Sequence, residues 1–284
     1  MTTPEPFVVE QVDWERFWEE RDGGLLPGQH VAIIGPTGSG KTYGLIWFGE
    51  TFPGHAILVV TKGSDEIVGR LVKERGWVLT RNVDDIFTDA GQPGRLLKRT
   101  TSDWWNKRDR PLQRIVFHPQ PDTRKLRQRA EYLGHTVEEL IDRAYEYCRR
   151  SAANRALIEI DESVFAAMEL DLNRSFTIVL NEGRSMRLSL ALAMQRKAWV
   201  SKSAESAPTY MLVFDTYSPD DLAELAKLAR FRRTAEMRDL LDELPEYHHL
   251  LIVTRGRGRQ LYQSRVVIRQ QKTTSRSRPE GEPE

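Results

Sequence analysis

The sequence predicts an α/β protein in which a mainly parallel central sheet is flanked by helices and followed by a C-terminal β-hairpin. Short apolar runs alternate with helical segments, and strands separated by helices are joined by crossovers that make neighbouring strands parallel. The predicted strands span residues 30–35, 55–61, 113–119, 156–161, 188–195 and 209–216. The predicted helices span residues 41–51, 65–75, 123–150 and 173–186.

The composition indicates a globular chain with a sizeable core. Of the 284 residues, 39% are hydrophobic and 29% are charged, which is typical of folded proteins. The net charge is only +1, so affinity for nucleic acid has to come from local basic patches. A single cysteine, Cys148, excludes an intrachain disulfide and fits a reducing compartment. No apolar run approaches the ~18 residues of a membrane span, and no signal peptide is evident, so we expect a cytoplasmic protein without membrane insertion.

The first 24 residues are predicted to form an arm ahead of the main domain, which spans residues 25–268. Trp14, Phe17 and Trp18 recur at helical spacing and predict a short amphipathic helix. The aromatic face of this helix has to be covered. We expect it to pack on its own domain, with docking on a neighbouring subunit as the alternative.

The last part of the chain predicts a helix, a hairpin and a tail. Ser218 followed by Pro219 is a preferred start for the helix. Residues 248–268 are typical of two strands around a glycine-punctuated turn. Residues 269–284 have the composition of a disordered tail.

The stretch HVAIIGPTGSGKT contains the motif G-x-x-x-x-G-K-[ST], met by Gly35, Gly40, Lys41 and Thr42. Glycines let backbone N–H groups turn around a phosphate, and the following helix adds its positive dipole end. Lys41 is expected to bridge the β- and γ-phosphates and to assist catalysis, while the Thr42 hydroxyl suits Mg²⁺. The motif therefore predicts a P-loop that binds ATP with Mg²⁺. The predicted nucleotide contacts are Gly35, Pro36, Thr37, Gly38, Ser39, Gly40, Lys41, Thr42 and Tyr43.

An acidic pair closes the predicted strand ALIEID. A P-loop needs a carboxylate on a nearby strand for Mg²⁺ and a group that orients water for hydrolysis. Asp161 is the metal candidate and Glu162 the catalytic base. Glu159, within the same strand, is expected either to be solvated near the sheet edge, to pair with a cation such as Arg155, or to join the metal site. Two other acidic pairs, Asp84–Asp85 and Asp220–Asp221, do not follow a buried strand.

A further apolar strand ends abruptly on polar residues in RLSLALAMQR. We call the strand that ends in Asp161 the acid strand and the strand that precedes the P-loop the phosphate strand. If the acid strand lies next to the phosphate strand, and the strand ending in Gln195 lies beyond the acid strand, Gln195 emerges near the γ-phosphate. An amide there donates to a phosphate oxygen and accepts from the attacking water, which makes Gln195 a candidate sensor of the nucleotide.

These segments resemble the FtsK–HerA superfamily of ring-forming, DNA-translocating P-loop ATPases, which includes genome-packaging ATPases of membrane-containing double-stranded DNA viruses. The resemblance covers roughly residues 28–228 and rests on GPTGSGKT, LIEIDE, GRSMRLSLALAMQR and PTYMLVFDTYSPDDLAEL. The family places an arginine about eleven residues before its glutamine, and that arginine reaches the ATP of a neighbouring subunit. Arg184 stands at that distance from Gln195. The resemblance implies that Arg184 is a trans-acting catalytic finger.

The resemblance also implies a partner, an assembly and a location. It implies non-sequence-specific action on double-stranded DNA and self-association into a ring, which we expect to be a hexamer. A viral member would be found in the host cytoplasm or associated with the virion. Three positions depart from the family pattern. Glu159 interrupts the apolar strand that ends in Asp161, Arg187 stands where a glycine is usual, and Lys197 replaces a common proline.

Two basic segments are candidates for contacting phosphates of a nucleic acid. Residues 95–114 interleave cations, among them Lys107 and Arg108, with two tryptophans. The turn of the predicted hairpin carries several arginines without a nearby acid, and glycine between them suits a loop that follows a backbone. These hairpin arginines are Arg255, Arg257, Arg259 and Arg265.

The residues leave two other functions open. A small-molecule or nucleotide kinase would share the P-loop, although Glu162 and Gln195 favour hydrolysis. A non-DNA assembly ATPase would use the same site to order protein partners.

Overall fold

The computed structural model describes residues 9–21, 23–62, 66–98, 112–123, 125–195, 208–254 and 261–266. Within these ranges, ten strands form one sheet, and the predicted α/β class is confirmed. The strands are β1 (Glu10–Gln11), β2 (Val31–Ile34), β3 (His55–Val59), β4 (Val78–Thr80), β5 (Arg114–Phe117), β6 (Ala156–Ile160), β7 (Leu188–Met194), β8 (Tyr210–Val213), β9 (His248–Val253) and β10 (Leu261–Arg265).

The sheet is mainly parallel and has the order β1-β10-β9-β8-β2-β7-β6-β3-β5-β4. The pairs β8–β9 and β9–β10 are antiparallel, and the remaining neighbours are parallel. The predicted C-terminal hairpin therefore forms from β9 and β10. The carboxyl ends of β2, β3, β6, β7 and β8 meet at one edge of the sheet, where parallel sheets bind ligands.

Helices cover both faces of the sheet. The four long helices predicted from periodicity begin and end within three residues of their predicted bounds. The helices are α1 (Trp14–Glu19), α2 (Lys41–Thr51), α3 (Glu66–Arg75), α4 (Arg95–Lys98), α5 (Leu126–Arg150), α6 (Ser163–Met168), α7 (Asn173–Met186), α8 (Pro219–Leu228) and α9 (Thr234–Asp242), with a short 3₁₀ turn at Val83–Asp85.

Strand β7 shows how the sheet serves two cores. Its seven residues are all buried. Leu190 and Leu192 face the core under α5, α7, α8 and α9. Ala191 and Ala193 face the opposite core, which contains α1, α2 and α3. The small side chains on that face let α2 lie close to β7. The alternation of large and small residues in the sequence thus reflects two packing layers.

Helix α1 packs on the chain's own domain, as expected. Asp13 caps the helix by accepting a hydrogen bond from the Arg16 N–H at 2.9 Å. Trp14 and Trp18 are each only 1% exposed. The Trp14 ring lies 4.8 Å from that of Trp47 in α2, and β1 extends the sheet by pairing with β10.

The expectations for Glu159 at the sheet edge or beside Arg155 were wrong. Its strand, β6, lies between β7 and β3 in the interior of the sheet, and Glu159 is fully buried while Arg155 is exposed. Burial raises the pKa of Glu159 well above its ordinary value, and the cation that opposes this shift is Arg114. Gly49 makes room for the carboxylate, because a Cβ there would lie 2.5 Å from Glu159 Oε2.

Two further expectations concern the C-terminal tail and membrane-spanning helices. The predicted tail, residues 269–284, lies outside the described residues. Among the helices of the described ranges, none combines the length and apolar character needed to cross a bilayer.

His249 in β9 is expected to make folding stability depend on pH. It is fully buried against the rings of Trp14 and Phe214, and within the described residues neither of its ring nitrogens has a hydrogen-bond partner. Burial lowers its pKa to about 3, with His248 adding to the shift. Unfolded histidine titrates near pH 6.5. As the pH falls below that value, the unfolded chain binds a proton that the folded chain does not, so the free energy of unfolding drops by about 1.4 kcal/mol per pH unit from this group.

This contribution can be isolated with urea unfolding curves recorded between about pH 5 and pH 7.5. His249→Leu should flatten the pH dependence relative to the wild type. His135→Leu is the matched control, since it makes the same change at an exposed position of α5. Equal slopes for the wild type and His249→Leu would contradict the burial argument.

Candidate active site

A glycine-rich loop, residues 35–40, joins β2 to α2 at the carboxyl edge of the sheet. Gly38 and Gly40 have φ values of +83° and +104°, which residues with a side chain rarely adopt. Gly35 is needed for a close approach, because a Cβ there would lie 2.9 Å from the Cβ of Phe214. Gly40 is also the N-cap of α2, so the loop leads directly into a helix N-terminus. This geometry favours binding of a phosphate.

Lys41 and Thr42 open α2 and lie beside Asp161, which follows β6. The Lys41 ammonium donates to the Pro36 carbonyl at 2.7 Å, and the Thr42 hydroxyl donates to Asp161 Oδ2 at 3.2 Å. Burial lowers the pKa of Lys41, against the pull of Asp161. Burial also raises the pKa of Asp161, against the pull of Lys62 and the Thr42 hydrogen bond. A hydroxyl and a carboxylate oxygen so close together form a donor set that fits Mg²⁺.

Glu162 stands at the turn between β6 and α6 in a strained backbone conformation. Its φ is +63°, which is rare for a residue other than glycine and is found at functional sites. Its carboxylate forms an ion pair with Lys62, with Oε1 2.9 Å from Nζ. Lys62 was missed from the sequence, although it follows the apolar strand β3 just as Gln195 follows β7.

Gln195 directly follows β7, and its side chain lies against the loop. The amide Nε2 donates to the Thr37 hydroxyl at 3.3 Å. The expected strand order was wrong, however, because β7 lies between β2 and β6. The Gly35 N–H donates to the Met194 carbonyl at 3.1 Å, so the glutamine strand is the direct neighbour of the phosphate strand. A strand buried on both faces suits this central position.

These residues line one cleft of about 1100 Å³. The structure thus brings together the predicted Lys41, Thr42, Asp161, Glu162 and Gln195. It adds residues that the sequence did not single out for this site. The added residues include Lys62, Glu66, Arg70, Phe165, Phe214, Tyr247 and Arg265.

Arg184 lies away from the cleft, at the opposite edge of the sheet. It is exposed near the end of α7 and packs against Gly28, which precedes β2, since a Cβ on Gly28 would lie 2.6 Å from Arg184 Cα. Strand β7 separates Arg184 from Gln195, and its seven residues extend about 23 Å at ~3.3 Å each. An arginine side chain cannot bridge that distance, so Arg184 does not reach the loop of its own chain.

The departure at Arg187 has a local explanation. Arg187 is the C-cap of α7 and has a φ of +61°, in the left-handed region where helices commonly end on glycine. The backbone shape expected for a glycine is therefore present, and an arginine adopts it at some conformational cost.

The predicted nucleic-acid contacts Arg255, Arg257, Arg259, Lys107 and Arg108 lie outside the described residues, as does Lys197. Arg265, which the sequence grouped with the hairpin arginines, is described and lines the cleft.

The described residues have the fold of a P-loop NTPase, and solved proteins share it. The genome packaging NTPase B204 from Sulfolobus turreted icosahedral virus 2, in complex with AMP, has a TM-score of 0.54 at 15% identity, covering 86% of this chain and 100% of its own. VirB4 of Thermoanaerobacter pseudethanolicus has a TM-score of 0.55 at 14% identity, covering 94% and 98%. The sequence matches no family model and no curated protein. At 14–15% identity these likenesses concern the fold, and they confirm the P-loop NTPase fold that the sequence predicted.

Proposed function

We propose that this chain is a Mg²⁺-dependent ATPase that assembles into a ring and translocates double-stranded DNA during viral genome packaging. The observation that carries the proposal is the convergence of Lys41, Thr42, Asp161, Glu162 and Gln195 on the phosphate-binding loop. B204, which shares the fold, is a genome packaging NTPase, and this supports the choice of process.

Each side chain of the cleft has a role that its chemistry suits. The loop amides and Lys41 bind the phosphates and neutralise their charge. Glu162 orients the attacking water and accepts its proton, for which it exchanges its ion pair with Lys62 for contact with the water. Gln195 contacts the loop and reports on the γ-phosphate.

Thr42 and Asp161 are the residues that would hold Mg²⁺. The ion supplies positive charge that offsets the charge developing on the transferred phosphoryl group. Burial of Asp161 serves this task, because a partly desolvated carboxylate attracts a cation more strongly than a solvated one.

The position of Arg184 supports a ring in which neighbouring chains complete one another's sites. The side chain is exposed at the sheet edge opposite the cleft, so it is available to the nucleotide of an adjacent chain. A site completed by the neighbour hydrolyses ATP only in the assembled state.

DNA binding is expected to depend on the hairpin arginines. Replacing Arg255, Arg257 and Arg259 with glutamine should weaken binding to all sequences alike, because phosphate contacts carry no base information. The slope of log K against log salt should become shallower by up to about three charges. Binding would be measured by fluorescence anisotropy between roughly 50 and 200 mM salt, with ATPase rates and oligomeric mass recorded on the same samples.

A matched variant replaces Arg16, Arg149 and Arg233, three arginines whose side chains are at least 58% exposed and which are scattered over the surface. This control should leave the salt slope near that of the wild type. An unchanged slope in the hairpin variant would move the contact to residues 95–114 or remove it. ATP hydrolysis by a monomer that DNA does not stimulate would argue against a translocase.

A further inference from the structure

The phosphate loop has different neighbours on its two sides. The strands β7 and β6 lie on one side of β2 and carry Gln195, Asp161 and Glu162 at their ends. The strands β8, β9 and β10 lie on the other side. In ATP hydrolysis the metal ion and the attacking water act at the γ-phosphate. The γ-phosphate therefore points toward the side of β2 on which β6 carries its two carboxylates. The nucleoside is at the other end of the triphosphate, and it therefore leaves toward β8, β9 and β10.

Aromatic and cationic side chains line the cleft on that side. Tyr247 directly precedes β9, and Arg265 ends β10 opposite His248, so both lie at the same sheet edge as the loop. Tyr43, from the first turn of α2, lines the same cleft. Tyr43 and Tyr247 are each 48% exposed, which leaves a large part of each aromatic side chain uncovered by protein.

Both tyrosines are held in place by neighbouring groups. The Tyr43 hydroxyl accepts a hydrogen bond from Arg70 Nη1 at 3.2 Å. The Arg265 guanidinium lies 5.9 Å from the centre of the Tyr247 ring, within the range of a cation–π contact. Tyr247 also has a φ of +62°, which is unusual for a bulky residue. Such strain concentrates at ligand-binding positions, where the surrounding structure imposes it.

We propose that Tyr43, Tyr247 and Arg265 form the site that holds the nucleobase of the bound triphosphate. This inference rests on the proposed function, since it requires that the loop binds a nucleoside triphosphate. The base stacks on an exposed tyrosine ring, and Arg265 adds a cation beside the stack. Arg265 therefore contacts the nucleotide, and the remaining hairpin arginines contact the nucleic acid.

The test compares ATP with inorganic tripolyphosphate, which has the phosphates and lacks the base. Isothermal titration calorimetry with Mg²⁺ present gives the Kd of each. Tyr247→Ala should raise the Kd for ATP by about tenfold, the loss expected for one stacked base, and leave the Kd for tripolyphosphate unchanged. Tyr247→Phe retains the ring and should bind ATP like the wild type.

Tyr217→Ala is the matched control. Tyr217 is 77% exposed and also lies beneath an arginine, with Arg238 5.7 Å from its ring centre, but it does not line the cleft. An unchanged ATP Kd in Tyr247→Ala, or an equal loss of ATP and tripolyphosphate, would overturn the base site. Failure of the wild type to bind either compound would instead refute the proposed function.

Discussion

Mixing Arg184→Ala chains with Lys41→Ala chains is expected to restore ATP hydrolysis that neither variant performs alone. Lys41→Ala lacks the cation of the phosphate loop, and Arg184→Ala lacks the finger proposed to act on the neighbour. At some interfaces of a mixed ring, the intact phosphate loop of an Arg184→Ala chain meets the intact finger of a Lys41→Ala chain. Fingers of this kind are worth about 10³–10⁵ in rate in other P-loop enzymes, so the rescue should be large against a low background.

The measurement is the steady-state ATPase rate across mixing ratios and total protein concentrations. Rescue should appear only where the chains assemble, while Arg184→Ala alone still binds ATP. Arg174→Ala is the matched control, because Arg174 is also exposed on α7 but lies at its other end. A mixture that co-assembles and stays inactive would show that Arg184 does not act in trans.

Glu162→Gln is expected to bind ATP normally and to hydrolyse it about 10²–10⁴ times more slowly. An amide has the size of the carboxylate and cannot accept the proton of the attacking water. The same change removes the negative partner of Lys62, so the affinity for ATP should not fall. Single-turnover hydrolysis and equilibrium ATP binding separate the two effects.

Glu243→Gln makes the same chemical change at an exposed position after α9 and should behave like the wild type. If Glu162→Gln loses affinity for ATP, Glu162 supports binding, and the catalytic base has to be sought elsewhere in the cleft. Wild-type turnover would exclude Glu162 as the base.

Much of the central sheet could be predicted because its strands are buried on both faces and appear as continuous apolar runs. Several elements that escaped prediction are too short to show such a pattern. Strands β1 and β4 have two and three residues, too few for an alternation to show. Helix α6 has six residues and begins at Ser163, and its N-cap Glu162 provides no side-chain cap. Short elements of this kind are fixed by the surrounding tertiary structure.

Part of the site could also be predicted, because part of its pattern is local in the sequence. The spacing of the P-loop is local in sequence, so Lys41 and Thr42 could be placed directly. The order of the strands is set by long-range packing, and no local pattern showed that β7 would lie next to β2. Side chains that join the cleft across the sheet, such as Lys62, Tyr247 and Arg265, likewise become visible only in three dimensions.

The position of β2 has a consequence for synthesis of the chain. Val31 pairs with Ala191 on one side and with Tyr210 on the other, and both partners are made long after it. At about 5–20 residues per second, ribosomes complete β8 on the order of ten seconds or more after β2. For most of that interval, until β7 is made, the apolar strand of the nascent chain has neither of its sheet neighbours, and such non-local pairing is slow even once both exist. Nucleotide cannot assist these early stages, because its loop is built only when β7 and β8 close around β2. The growing polypeptide, and not the finished protein, is therefore the species most exposed to aggregation.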